Sequence, residues 1–180
     1  ALHDGGVGCV GTRDYQGNDQ GNGYGNLAVP ALKNPYALAS YSSDSNSGVC
    51  ALDDDGVKCW GPSFGMEPDL KARATEISVS FEDACLLTED AEIQCWGEGV
   101  SKTYATKLMS EMPEIIGIKE LTLTRSNACA LNDSGAPFCW GSDSRLDVPA
   151  EIAEFRFSQL KSTNAGTCGF GGSDLACWGD

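Results

Sequence analysis

Nine cysteines stand at regular positions in this sequence, and their thiols are the side chains best placed to do chemistry. Eight of them form four similar brackets: Cys50 and Cys59, Cys85 and Cys95, Cys129 and Cys139, Cys168 and Cys177, each closing over eight or nine residues. Cys9 is left over. Thiols so arranged could cross-link, ligate a metal or act as nucleophiles. Structural zinc sites place roughly two to four residues between paired ligands, so the spacing does not suit zinc. A nucleophilic cysteine needs a base beside it. The single histidine, His3, lies in the first hairpin turn, with no Gly-x-Ser-x-Gly or paired Cys/His arrangement to accompany it. The expectation is therefore four structural disulfides, no catalysis, no cofactor and no metal. Cysteines used in this way belong to an oxidising space, which points to a secreted or cell-surface protein.

Three other groups could bind or be modified. Asn132-Asp133-Ser134 is an N-glycosylation acceptor pattern at a hairpin tip. Asp53-Asp54-Asp55-Gly56 could attract calcium, but it lacks the alternating ligands and distal Glu of a calcium loop and reads better as a turn. Asn18, Asp19, Asn22 and Asn26 could ligate a cation or a sugar, although Gly and Asn there are explained by positive backbone dihedrals. Twelve Lys plus Arg against 26 Asp plus Glu give a net charge of −14, which argues against a nucleic-acid partner. No stretch approaches the ~20 apolar residues that span a bilayer, so membrane insertion is not expected.

The elements that must position the cysteines repeat along the chain. CALDDDGVKCWG, residues 50–61, returns as CLLTEDAEIQCWG, CALNDSGAPFCWG and CGFGGSDLACWG, each ending in Cys-Trp-Gly. ALHDGGVGCVG at residues 1–11 is a fifth copy, with Val10 in the tryptophan position and its first cysteine absent, so the first unit is expected to be clipped. Each copy centres on a polar, turn-forming cluster and reads as a β-hairpin. If the cysteines of a copy face each other, the same register sets Leu52 against Val57, Leu87 against Ile93, Leu131 against Pro137 and Phe170 against Leu175. Each apolar pair then shares a sheet face with its disulfide, because side chains two residues apart point the same way. A loop this small gains about 2–3 kcal/mol from closure, and the bridge mainly locks the register.

Between the second cysteines, at 9, 59, 95, 139 and 177, the steps are 50, 36, 44 and 38 residues. Such periods with Gly and Trp punctuation are those of propeller blades, each expected to hold about four short strands. Candidates include 76–80 and 120–124, which alternate apolar and polar, and Phe155-Arg156-Phe157-Ser158. Helical periodicity is weak, since 110–119 is short and broken by Pro113 and Gly117. Trp60, Trp96, Trp140 and Trp178 point away from the cysteine face, where a stacked neighbouring blade would bury them. The expected fold is an all-β tandem-repeat propeller, or a propeller segment, with about five blades represented and residues 1–180 forming one repeat domain.

The run DGGVGCVGTRDYQGNDQGNGYGNLAVP, followed after an interval by SSDSNSGVCALDDDGVKCWG, resembles the repeat of the regulator of chromosome condensation family. Gly17, Gly21, Gly23 and Gly25 fill that repeat's Gly-rich loop, Pro30 its proline, and Ala51-Leu52 with Gly56 its returning turn. The paired cysteines look like a secreted, disulfide-bearing branch of the class. The resemblance implies a propeller, usually of seven blades, while the nuclear member's nucleotide-exchange activity is not carried over. The expected role is a non-catalytic extracellular scaffold that binds protein partners or copies of itself, as a segment of a larger adhesin, filament or appendage. A secreted protein inhibitor or a ligand- or glycan-binding propeller is the alternative.

Overall fold

The computed structural model describes residues 2–3, 6–7, 29–42, 47–60, 73–80, 83–97, 102–163, 165–172 and 174–179. β1 (Leu2–His3) and β2 (Gly6–Val7) form a short two-stranded ladder that sets Leu2 opposite Val7. Four three-stranded antiparallel sheets follow, each made of consecutive strands. They are β3 (Ala37–Ser42), β4 (Ser47–Asp53) and β5 (Gly56–Trp60); β6 (Ala74–Val79), β7 (Asp83–Thr88) and β8 (Ile93–Gly97). Then come β9 (Ile118–Leu123), β10 (Asn127–Asn132) and β11 (Pro137–Gly141), and finally β12 (Gln159–Ser162), β13 (Gly166–Gly171) and β14 (Asp174–Gly179).

The middle and last strands of each sheet are the cysteine hairpin, in the register the sequence predicts. Cys50 lies opposite Cys59 and Leu52 opposite Val57; Cys85 opposite Cys95 and Leu87 opposite Ile93. Cys129 faces Cys139 and Leu131 faces Pro137; Cys168 faces Cys177 and Phe170 faces Leu175. Alternation along the strands then gives every sheet a cysteine face and a tryptophan face.

The core lies between sheets, where the cysteine face of one packs on the tryptophan face of the next. Cys50 and Leu52 meet Ile77, Val79, Ala84 and Leu86, with Trp96 against them. Cys85, Leu87 and Ile93 meet Leu121, Leu123, Ala128, Ala130 and Trp140. Cys129 and Leu131 meet Leu160, Phe157 and Trp178. The middle strands β7 and β10 are covered on both faces, which is why they read as near-continuous apolar runs.

Three expectations are corrected. Among the described residues each sheet has three strands rather than the expected four, and the connections after β8 and β11 carry helices. The first carries α1 (Lys102–Glu111), and the second a 3-10 turn, Ser144–Leu146, and α2 (Ala150–Ala153). Second, α1 overlaps the stretch examined for helical periodicity only at residues 110 and 111, and its last residue is two positions before Pro113. Among its described side chains Leu108 is the buried one, and the Trp140 indole N–H donates to the Leu108 carbonyl at 2.8 Å. Third, Phe155 to Ser158 is not a strand, and β12 begins one residue later. The Phe157 N–H donates to the Gly135 carbonyl of the preceding blade at 2.8 Å. Its ring fills the space a Cβ on Gly169 would need, 2.7 Å from that position. A contact between blades has overridden the local alternation.

Candidate functional site

The structure joins Cys50 to Cys59, Cys85 to Cys95, Cys129 to Cys139 and Cys168 to Cys177, each across directly paired strands. Three of the four bridges are sandwiched between blades. The bridge of the β12–β13–β14 sheet lies on that sheet's outer face, where Cys177 is exposed. Cys9 and the Asn18, Asp19, Asn22 and Asn26 group lie outside the described residues. His3 ends β1 opposite Gly6.

The acidic turn is organised around one buried carboxylate. Asp53 accepts from the Lys33 N–H at 2.8 Å, the Asp55 N–H at 2.9 Å and the Lys58 ammonium at 2.8 Å. Burial pushes its carboxyl up, but the Lys58 hydrogen bond and the two backbone donors outweigh that and hold it below the usual range. Those three donors take up most of the carboxylate's accepting capacity, and Asp53 ties the hairpin tip to the chain at Lys33. Asp54 accepts from the Asn34 side chain at 2.6 Å, which fixes the same two segments together. Among the described residues no group of three or more His, Cys, Asp or Glu is placed to hold a metal ion. No helix of the described residues is long and apolar enough to cross a membrane.

Asn132 closes the tip of the β10–β11 hairpin. Its side-chain oxygen accepts from the Ser134 hydroxyl at 2.7 Å and from the Ala136 N–H at 3.0 Å, while Asp133 and Ser134 are exposed. That Asx turn explains why the residue types occur there. It leaves the side-chain amide at an accessible tip.

A row of residues on the first strands was not legible as functional. By register, Ala37, Glu76, Glu120 and Gln159 occupy one equivalent position, opposite Leu52, Leu87, Leu131 and Phe170. Glu76 accepts from the Leu121 N–H at 2.6 Å, and the Ser78 hydroxyl from the Leu123 N–H at 2.9 Å. Those two donors belong to the open edge of β9, so side chains of one blade satisfy the unpaired edge of the next. The polar half of the alternation in 76–80 signalled a strand, but nothing in it signalled a neighbouring edge. Burial pushes the Glu76 carboxyl up, the Leu121 N–H pulls it down, the charge of Glu120 pushes it up and Lys161 pulls it down, and the balance leaves it raised to about 7. Glu120 in turn lies 3.6 Å from the Lys161 ammonium.

No family model matches the sequence, and no curated protein matches it. Solved structures do. The chain is similar to the CRINKLY WD40 ectodomain of the Arabidopsis thaliana receptor kinase ACR4, with 21% identity and a TM-score of 0.58, over 82% of this chain and 50% of that one. It is similar to human WBSCR16, with 15% identity and a TM-score of 0.59, over 82% of this chain and 48% of that one. It is also similar to Prp20p of Saccharomyces cerevisiae, with 14% identity and a TM-score of 0.53, over 73% of this chain and 41% of that one. The chain thus spans about half the length of these proteins, or less. At such identities the likeness concerns the fold alone, and the fold, four stacked antiparallel blades with one disulfide per hairpin, is that of a β-propeller.

Proposed function

We propose that residues 1–180 form one propeller-like repeat domain that acts as a non-catalytic extracellular scaffold, presenting its hairpin tips and connections to protein partners within a larger surface assembly. The observation that carries this reading is the stapling itself. Every described cysteine hairpin is closed by a disulfide, and cross-links of this kind persist in oxidising spaces. The blades already bury an apolar core between them, so the bridges are not compensating for a small core. They hold hairpin register where local opening would expose the edges. Two similar propellers support the reading: one is the ectodomain of a receptor kinase, and Prp20p has binding properties to Gsp1p and histones. On this reading Cys9 has its partner outside the chain or stays a thiol, and Asn132 is the glycan acceptor.

The test is intact-mass analysis of the protein recovered from its source, from medium and cell surface separately from cytosol, before and after reduction and amidase treatment. The expected result is recovery outside the cell with four closed bridges and a glycan mass removed at Asn132. Nine alkylatable thiols in a cytosolic fraction would sink the extracellular reading. Cross-linking at the cell surface then reads the partners, and a protein that cross-links to nothing would sink the scaffold.

A further inference from the structure

Two side chains tie the β6–β7–β8 sheet to the open edge of the next sheet, and one of the two can carry a charge. Glu76 accepts from the Leu121 N–H at 2.6 Å, and Ser78, two residues on, accepts from the Leu123 N–H at 2.9 Å. Glu76 is half-buried, and the charge of Glu120, 8% exposed on β9, bears on it. The Lys161 ammonium of β12 lies 3.6 Å from Glu120, so this cation is engaged with the other carboxylate. An ionised Glu76 therefore sets two negative charges against one positive, and a protonated Glu76 leaves the group balanced. Of the other charged residues around this face, Lys119 is exposed on β9, Asp83 lies at the far end of β7, opposite Gly97, and Lys107 and Glu111 of α1 pair with each other at 3.5 Å. β3 and β4 pack on the Ile77 and Val79 side of β6, away from Glu76.

We propose that Glu76 is a proton-operated latch on the seam between the second and third three-stranded sheets: protonated, it stays on the Leu121 N–H and closes the seam; ionised, it turns out to water and frees that N–H. Because the side chain is half-buried rather than enclosed, a change of rotamer takes it to solvent with no backbone movement. The Ser78 hydroxyl has no charge to lose near neutral pH and keeps its bond to Leu123. The contacts of Leu87 and Ile93 with Leu121 and Leu123 also remain, so opening loosens one tie and leaves the blades stacked. The balance of burial, the Leu121 N–H, Glu120 and Lys161 leaves the carboxyl at about 7, so the latch turns near neutrality. The device is confined to this joint. Ala37 and Gln159, at the equivalent positions of β3 and β12, have no titratable group, and Glu120, at that of β9, has Lys161 beside it. The latch goes beyond the scaffold reading and does not depend on it.

The test is amide hydrogen exchange of the oxidised chain, read residue by residue by NMR between about pH 5.5 and pH 8.5, each rate divided by the intrinsic rate at that pH. Leu121 and Leu123 are donors to the same seam from the same strand, so each serves as the other's control. Protection of Leu121 should fall at least about tenfold across the range while that of Leu123 stays level, because the ionised form populates the open latch. Glu76→Gln should remove the fall. Glu120→Gln should move its midpoint to lower pH, since it takes away a like charge and releases Lys161 to Glu76. Level protection of Leu121 in the parent overturns the proposal, and so does a fall shared equally by Leu123, which is loss of the whole seam rather than release of one tie. A Glu76→Gln variant that keeps the fall at Leu121 overturns it as well. The parent chain decides the first two outcomes without any variant, and the scaffold reading stands or falls separately, on its compartment and its cross-linked partners.

Discussion

Glu76 carries an acidic group into the seam between two blades, where it accepts from the Leu121 N–H and faces Glu120 and Lys161. Its carboxyl is pushed up to about 7 in the folded protein from an ordinary value of 4.5, so the folded state binds the proton more tightly than the unfolded chain. The resulting stability is fully present below the unfolded value and is lost as pH rises through the folded one. Urea unfolding should therefore show this contribution, about 1–3 kcal/mol, disappearing between roughly pH 4.5 and 7. Glu76→Gln keeps an acceptor for Leu121 without the charge, so it should flatten that slope and exceed the parent at pH 8. Parallel profiles for the two proteins would refute this. Gly135 offers a second check at the same scale. It has a φ of +81°, and a Cβ there would stand 2.5 Å from the Phe157 carbonyl oxygen. Gly135→Ala should cost more than about 2 kcal/mol, while Gly172→Ala, also at positive φ but with nothing within 4 Å, should cost about 1 kcal/mol.

At the scale of elements the hairpins were legible because every signal that sets them is local. Period-two alternation, a turn cluster and two cysteines at a fixed spacing all select one register, and a slip of one residue would turn Leu52 and Cys50 to the wrong face together. The helix α1 was not legible, since it buries one described residue, Leu108, and owes its place to Trp140 32 residues away. Trp140→Phe keeps the ring but removes the donor to the Leu108 carbonyl. It should cost about 1 kcal/mol globally and speed hydrogen exchange selectively in α1. Exchange that accelerates evenly across the blade would show that the bond does not anchor the helix. The segment from Phe155 to Ser158 failed for the opposite reason. Its alternation was real, but the ring of Phe157 is worth more in the hole above Gly169 than on a strand.

For the whole molecule, what matters is order. Blades stack in sequence order, each burying its cysteine face on the next, and the last described blade has no successor among the described residues. Equivalent residues therefore differ in energetic weight. Leu131→Ala removes a fully buried side chain between two blades and should cost about 2–5 kcal/mol by denaturant unfolding. Phe170→Ala, at the same position of the next repeat but 43% exposed, should cost under about 1 kcal/mol. Equal costs would mean that this face is already covered within one molecule.

The sequence by itself determined the β repeat, the pairing of eight cysteines and one apolar pair across each cysteine hairpin, because strand alternation and turn chemistry act over about ten residues. Only the tertiary structure decided which cysteine faces are covered, that Glu76 and Ser78 satisfy the next blade's edge, and that the connections after β8 and β11 carry helices. Those outcomes depend on contacts 30 to 45 residues apart in the chain, such as Glu76 with Leu121 and Leu108 with Trp140. No local pattern encodes what a neighbouring blade will bring.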